Sequence, residues 1–297
     1  QNNGTVSLAN ALLCVKDDRN KVGDYNYIPS KKLSLPVNKQ AVMANGLVNP
    51  NMADSLVDNL EFTLGGNYLT KSQLMVLDIL NTNNWERPIY FGIGMGEDNY
   101  MGLQKYFQLD GAAYRLVPIE TKVESGALGR IDTEVLYDNL MNKYKWGNIN
   151  NPDVYIDHFH RSTISVMDFR NTFMRLALAL YDEGDIERAV KVLDKAMEEL
   201  PLSQVPFEAY SPLLNYVAMY YEFGEQEKAD KLALDILDDQ LQLFRYTTVL
   251  TGSGRADATI NRNSRLATEN VKYIIDLMKM FGREEMANQK LMEYSNF

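Results

Sequence analysis

The sequence predicts an α+β N-terminal part followed by an all-α superhelix of paired helices. Up to about residue 130, patterns typical of strands alternate with patterns typical of helices, as in a layered α+β arrangement. Beyond that point the strand patterns end, and one motif of paired helices occurs three times. The turn-rich stretch GNINNPD separates the two regions. We therefore predict an α+β domain with a small sheet and flanking helices at residues 1–150, and a helical-repeat domain at residues 151–297.

The N-terminal elements follow from local patterns. Two prolines in YIPSKKLSLPV favour an edge strand, and Asn49 or Asn51 is a suitable cap for a short helix in NPNMADSLVDNL. Thr70 is a typical N-cap for a helix in NYLTKSQLMVLDIL, where apolar residues recur at helical spacing. The remaining predicted elements are a strand in PIYFG, a helix in DNYMGLQKYFQ, a strand in AAYRLVPI and a helix in DTEVLYDNLMNKY.

The composition is that of a globular protein with an acidic surface. Hydrophobic residues make up 45% and charged residues 24%, and the formal net charge is -10. Acidic residues outnumber basic ones in both halves, which argues against nucleic acid or an anionic membrane surface as a partner. No apolar run approaches the roughly 20 residues needed to cross a bilayer. Since the chain begins QNNG without Met, we expect it to be a piece of a longer protein.

The helical half contains the repeated motif. Each occurrence has a glycine followed by small or apolar residues at offsets of five, nine and twelve, starting from Gly184, Gly224 and Gly282. A glycine with positive φ can end the first helix, and a small residue five positions later lets the second helix cross closely. The pattern resembles the tetratricopeptide repeat. That resemblance implies a groove lined by the first helices, which would hold a protein or peptide partner. In this register the groove residues are Asn171, Tyr181, Tyr221 and Lys272.

The segment NWERPIYFGIGMGEDNY has glycines at every second position, Gly92, Gly94 and Gly96. A dinucleotide-binding turn needs its third glycine one residue later, and that position is Glu97. Glu97 and Asp98 would repel a pyrophosphate, and the Lys-Ser or Lys-Thr of a phosphate-binding loop is missing. We therefore expect a flexible loop that starts a helix, and no nucleotide or other cofactor.

Catalytic and metal-binding patterns are weak. The two histidines, His158 and His160, lie in DHFH, which offers part of a metal site without a visible third ligand. Surface or helix-start histidines are the simpler interpretation, so we expect no metal site. The lone cysteine, Cys14, lies in SLANALLCV and is expected to be buried in a strand or helix. We assign no catalytic residue, because no nucleophile, base and acid stand out together.

Aromatic and arginine residues concentrate between residues 85 and 115. Such side chains can stack on a sugar or a peptide, although core packing is the simpler interpretation. We take Trp85, Arg87, Tyr100 and Arg115 as a candidate ligand surface.

Several stretches resemble a known family. NWERPIYF, DNYMGL and QLDGAAYRLVP, supported by YIPSKKLSLPV and FMRLALALYDEGDIERAVKVLDKAMEELP, are similar to the C-terminal region of a Bacteroidetes multi-pass membrane protein family of unknown function. That family is regarded as similar to protein O-mannosyltransferases, which are GT-C type glycosyltransferases. The resemblance covers nearly the whole chain and is specific at residues 68–119. It implies a location on the periplasmic side of a bacterial membrane, within a multi-pass membrane protein whose catalytic part lies elsewhere.

Three functions remain open from the sequence. The first is a non-catalytic extracytoplasmic domain of a membrane glycosyltransferase, which binds a partner or acceptor polypeptide through its helical repeats. The second is a carbohydrate-active domain that uses the Trp85–Arg115 region, and it requires Glu86, Glu97, Asp98 and Asp110 to meet in a cleft. The third is a purely structural or dimerising tail.

Overall fold

The structure is a computed structural model that describes residues 4–122, 128–157, 159, 169–206, 212–255 and 257–295. The chain divides into two compact units, Gln1–Asn139 and Leu140–Phe297. The boundary that we place after residue 150 from the sequence stays a prediction. Within the described ranges, every helix is too short or too polar to span a bilayer.

The first sheet of the N-terminal unit has three strands, β1 (Val6–Ser7), β2 (Lys32–Pro36) and β3 (Asn59–Thr63). Their order is β1-β2-β3, with β1 parallel and β3 antiparallel to β2. The predicted edge strand is therefore the central one. It tolerates Pro36 there because β1 pairs only with Leu33 and Ser34, so the proline lies beyond the end of β1.

The second sheet has β4 (Tyr90–Gly92), β5 (Phe107–Leu109) and β6 (Ala113–Leu116), in the antiparallel order β4-β6-β5. The helix predicted in DNYMGLQKYFQ is wrong. This stretch forms two short 3₁₀ turns, Glu97–Tyr100 and Gln104–Tyr106, and then enters β5. Between the turns, Met101 and Gly102 have φ values of 52° and 79°, which a continuous right-handed helix does not allow.

Four helices complete the described part of the N-terminal unit. They are α1 (Leu8–Lys16), α2 (Lys39–Ala44), α3 (Lys71–Thr82) and α4 (Thr133–Asp138). Thr70 caps α3 as predicted and forms a reciprocal capping box with Gln73. The short helix near Asn49 is a 3₁₀ turn, Pro50–Ser55, and the Asn49 side chain caps it. Cys14 is half-buried on α1.

A single hydrophobic core joins the two sheets of this unit. Leu33 and Leu60 come from the first sheet, Phe107 and Leu116 from the second, and Leu77 from α3, and each is at most 2% exposed. Burial of such side chains contributes about 1.5–3 kcal/mol each to folding. The core therefore ties the two sheets and α3 into one packed unit.

The described C-terminal unit is helical apart from its turns. It contains three helical hairpins, formed by α5 (Phe169–Asp182) with α6 (Ile186–Glu199), α7 (Leu213–Glu222) with α8 (Gln226–Gly252), and α9 (Ala258–Met280) with α10 (Glu284–Ser295). An α+β part followed by an all-helical part compatible with repeats confirms the predicted fold class. The glycines of the repeated motif are unequally spaced because α8 and α9, which separate the second glycine from the third, are much longer than α5 and α6.

Candidate functional site

The three helical hairpins turn in the same way. After α5, the Gly184 amide donates to the Tyr181 carbonyl and the next amide, of Asp185, donates to the Leu180 carbonyl. The same pair of bonds recurs at Gly224 and at Gly282, and the three glycines have φ values of 84°, 83° and 77°. This is the Schellman arrangement, which ends a helix with a residue in the left-handed region. The alanine five residues after each glycine is fully buried, as the motif predicts: Ala189, Ala229 and Ala287.

Two aromatic pairs join successive hairpins. Tyr181 packs on Phe223 with ring centroids 4.9 Å apart, and Tyr221 stacks on Phe281 at 4.8 Å and 10°. In each pair, the tyrosine lies three residues before the glycine of its own hairpin. The phenylalanine lies one residue before the glycine of the next hairpin. Tyr181 and Tyr221 therefore serve to pack successive hairpins against each other.

The burial of Tyr221 corrects its expected place in a groove. Its side chain is 4% exposed, and its hydroxyl donates to Asp230 Oδ1 over 2.7 Å. Burial, followed by the bond to Asp230, raises the pKa of Tyr221 above its usual range. Arg283 pairs with the same carboxylate at 3.0 Å. Tyr221 thus has no surface to offer a ligand.

The other three predicted groove residues reach the surface. Asn171 is half-buried, and Tyr181 on the same helix is 37% exposed. Lys272 is exposed on α9. Leu178, which is 40% exposed, lies between Asn171 and Tyr181 on one face of α5 because these residues follow helical spacing. On α7, the exposed Asn215 donates its amide to the Met174 sulfur of α5 at 3.4 Å, so α5 and α7 meet along this face.

The candidate surface at Trp85, Arg87, Tyr100 and Arg115 does not form. Trp85 is 6% exposed, and its indole Nε1 donates to the Pro36 carbonyl at 2.9 Å. Tyr100 is 4% exposed and packs edge-on against Tyr114. Arg87 alone of the four is exposed.

Strand geometry explains why these residues stay apart. Tyr114 and Arg115 are neighbours on β6, so their side chains point to opposite faces of the sheet. Tyr100 lies on the Tyr114 face, and Arg115 points to the other. The cavity beside Trp85 and Arg87 has a volume of about 10 Å³, which is room for one water molecule at most.

Arg115 belongs to a buried charge cluster. Its guanidinium lies 2.8 Å from Asp110 Oδ2, and Gln108 donates to Asp110 Oδ1 at 3.0 Å. Burial raises the pKa of the Asp110 carboxyl, and the charge of Arg115 opposes that rise. Arg130 and Asp132 lie close by and are also largely buried. Gln108, Asp110 and Arg115 are 1%, 6% and 9% exposed, so the cluster lies in the interior of the N-terminal unit.

The carboxylates that a carbohydrate-active site would need do not meet. Glu86, Glu97 and Asp98 are exposed, whereas Asp110 is buried beside Arg115. In the part of the chain that the structure describes, no three His, Cys, Asp or Glu side chains are placed to hold a metal ion. His158 and His160 lie outside the described residues.

One open cleft was missed by the sequence reasoning. It lies in the N-terminal unit between residues 24–31 and residues 64–71 and has a volume of about 700 Å³. Three tyrosines border it, with exposed fractions of 79% for Tyr25, 44% for Tyr27 and 83% for Tyr68. We call it the tyrosine cleft. The repeated Tyr-Asn pairs in DYNY and GNY are the only sequence signal, and they lie some 40 residues apart.

These observations define an α+β unit with an open aromatic cleft and a unit of three helical hairpins. Residues 1–135 match the family model described as TMEM260-associated domain 2. The match relates this part of the chain to a membrane-protein family, consistent with the relationship to a membrane protein expected from the sequence. Comparisons with curated proteins and with solved structures give no match.

Proposed function

We propose that the chain is a non-catalytic, extracytoplasmic part of a membrane glycosyltransferase and binds an acceptor polypeptide along the first helices of its hairpins. The observation that carries this proposal is the repeated Schellman turn, because the three hairpins share one turn geometry. First helices that end in the same turn and touch, as α5 and α7 do through Met174 and Asn215, present a continuous face to a partner.

The chemistry of that face suits an extended peptide. Asn171 and Asn215 carry side-chain amides, each of which can donate to and accept from a peptide backbone. Leu178, at 40% exposure, and the edge of Tyr181 offer apolar contact between the polar positions. Lys272 adds a positive charge on α9. A face of alternating amide and apolar groups can bind the main chain of a polypeptide without requiring one particular sequence. A site for acceptor polypeptides needs this property.

The link to a membrane enzyme rests on two supports. The family match at residues 1–135 relates the N-terminal part to a membrane protein, and the similarity at residues 68–119 extends this to an O-mannosyltransferase-like family. We base the proposed periplasmic location on the second of these supports. The scattered carboxylates favour a binding role over a catalytic one.

The test is a binding titration with a panel of unstructured synthetic peptides of differing charge, read by fluorescence anisotropy. The variant Asn171→Ala/Asn215→Ala removes two backbone-directed amides, each worth about 1 kcal/mol, so affinity should fall by roughly tenfold or more. The control is Asn288→Ala, at an exposed asparagine on the second helix α10. It should bind like the unmodified chain.

Two results contradict the proposal. The first is the absence of saturable binding to every peptide, and the second is an equal loss of affinity in the control variant. Concentration-dependent dimerisation in sedimentation, together with no peptide binding, would support a dimerising tail instead.

A further inference from the structure

We propose that the tyrosine cleft is a carbohydrate-binding site that takes a short, uncharged oligosaccharide. This inference goes beyond the proposed function, because it concerns a different ligand and a surface confined to the N-terminal unit. It rests on three observations: the bonded walls of the cleft, its exposed aromatic rings, and two side-chain amides that existing hydrogen bonds orient, Asn26 through the Val15 carbonyl and Asn67 through Lys31.

Backbone and side-chain bonds hold both walls in place. On the first wall, Val22 and Tyr25 exchange two backbone bonds across a tight turn, and the Asn26 amide donates to the Val15 carbonyl at 2.6 Å. The second wall begins at Leu64, whose amide donates to the Lys31 carbonyl at 2.9 Å. It ends at the capping box of Thr70, which starts α3. A cleft whose walls are bonded in this way is largely formed before a ligand arrives.

The aromatic rings have no role in the core. Tyr25 and Tyr68 are 79% and 83% exposed, far more than a tyrosine that packs in the interior, such as Tyr106 at 1%. Large rings exposed together at one cleft mark a binding surface rather than scattered surface residues. A tyrosine ring combines an apolar face with a polar tip, so it can lie against the C–H face of a sugar while its hydroxyl stays in water.

The polar side chains supply a donor and an acceptor at fixed positions. Asn67 accepts from Lys31 Nζ at 3.0 Å through Oδ1, so its Nδ2 group remains a donor. Asn26 donates through Nδ2, so its Oδ1 remains an acceptor. Sugar hydroxyls both donate and accept, and they can bond to the two amides at once. Each amide is already oriented, so little entropy is lost when it binds.

The charges of the cleft are mixed, so they do not select an ionic ligand. Asp24 offsets the charge of one of the two lysines, Lys31 and Lys71, and Lys31 also donates to Asn67. At the N-terminus of α3, which could attract a phosphate, the Thr70–Gln73 capping box already occupies the backbone amides of Thr70 and Gln73. An apolar peptide side chain would leave Asn26 Oδ1 and Asn67 Nδ2 without partners, at a cost that a saccharide avoids.

The experiment titrates the whole chain with a panel of neutral hexose and N-acetylhexosamine oligosaccharides, using saturation-transfer NMR for contacts and calorimetry for affinity. The variant Tyr25→Ala/Tyr68→Ala should reduce affinity by about tenfold or more, because two stacking rings are lost. Tyr25→Trp/Tyr68→Trp keeps both ring faces and should bind at least as well as the unmodified chain. Tyr155→Ala, at a position 86% exposed in the C-terminal unit, is the matched control and should not change binding.

The outcomes separate this inference from the proposed function. Oligosaccharide binding that is lost in the alanine variant and kept in Asn171→Ala/Asn215→Ala supports the cleft site, whatever the peptide titration shows. No saturable binding to any oligosaccharide overturns the inference. Binding that survives Tyr25→Ala/Tyr68→Ala also overturns it, as does displacement of the sugar signal by peptides that bind at the cleft. None of the five substituted side chains belongs to the core, since Asn171 is half-buried and Tyr25, Tyr68, Tyr155 and Asn215 are exposed. Equal melting temperatures can therefore verify that the variants are folded.

Discussion

The ion pair between Arg115 and Asp110 gives the sharpest test of how the N-terminal unit is held together. Its two side chains are only 11% and 7% exposed, and the Nε–Oδ2 distance is 2.8 Å. Arg115→Met keeps much of the arginine's volume and removes its charge. It leaves the Asp110 carboxylate buried without its main counter-charge. Gln108 still donates to that carboxylate, and its single neutral bond does not replace the charge.

The expected cost follows from the geometry. At an effective dielectric constant of about 20, two unit charges 2.8 Å apart attract by about 6 kcal/mol. Part of that attraction offsets the desolvation of both groups, so removing one partner of such a buried pair costs about 3–5 kcal/mol. In a unit of this size, a loss of that magnitude lowers the melting temperature by roughly 10 °C or more. The double variant Asp110→Asn/Arg115→Met removes both charges and should recover a large part of the loss.

The pH dependence provides an independent check of the same reasoning. Burial raises the pKa of Asp110 in the folded protein, and the loss of Arg115 should raise it further. A folded state with a raised carboxyl pKa binds more protons than the unfolded state. Its free energy of unfolding therefore falls as pH rises from the ordinary aspartate pKa through the folded pKa. The difference in the free energy of unfolding between Arg115→Met and the unmodified protein should thus be largest near pH 7 and should decrease as pH falls.

The assay is urea denaturation followed by tryptophan fluorescence in a Trp146→Phe background. The sequence has two tryptophans, and this background leaves Trp85 as the reporter for the N-terminal unit. The reasoning is refuted if Arg115→Met lowers the free energy of unfolding by less than about 1 kcal/mol. It is also refuted if that loss of stability is the same at pH 5 and pH 7. A double variant no more stable than the single one would show that packing, and not charge, explains the loss.

Two further predictions concern a backbone contact and an aromatic pair. Gly102→Ala should destabilise the N-terminal unit by at least 2 kcal/mol, because φ is 79° and an added Cβ would lie 2.3 Å from the Thr63 carbonyl oxygen; an unchanged urea midpoint would contradict this. Tyr221→Phe should cost about 1–2 kcal/mol through the lost bond to Asp230, whereas Tyr221→Ala should cost about 3–5 kcal/mol because the stack on Phe281 is also lost. Circular dichroism of thermal unfolding would measure both, and equal losses in the two variants would rule out a role for the stack.

Local signals in the sequence predicted the structure well where the structure depends on local contacts. The capping box at Thr70 involves residues within three positions, and each Schellman turn needs only a glycine and its preceding helix. Both features could therefore be predicted from the spacing of residues along the sequence. The helix predicted around Met101 failed because the chain there must pass close to Thr63, a contact that no local pattern reveals.

The candidate sites show the same division. Alternation along β6, a strand that the sequence predicts in AAYRLVPI, separates Tyr114 from Arg115, but the contact of Tyr100 with Tyr114 joins residues from different elements and no local pattern reveals it. The burial of Tyr221 also had a signal, since an aromatic residue precedes Gly224 by three positions and Gly282 by one. The tyrosine cleft had only the two distant Tyr-Asn pairs as a signal, because its walls are brought together by the pairing of β2 with β3.

The tyrosines of this chain therefore have two roles, which residue type alone does not separate. Where a neighbouring hairpin follows, the position three residues before the glycine is aromatic, as in Tyr181 and Tyr221. In the third hairpin, after which the structure describes no further hairpin, that position is Lys279. A tyrosine therefore occupies this position where the hairpin must pack against a following hairpin. No such need explains Tyr25 and Tyr68, which remain on the surface beside oriented amides, so their exposure points to a ligand.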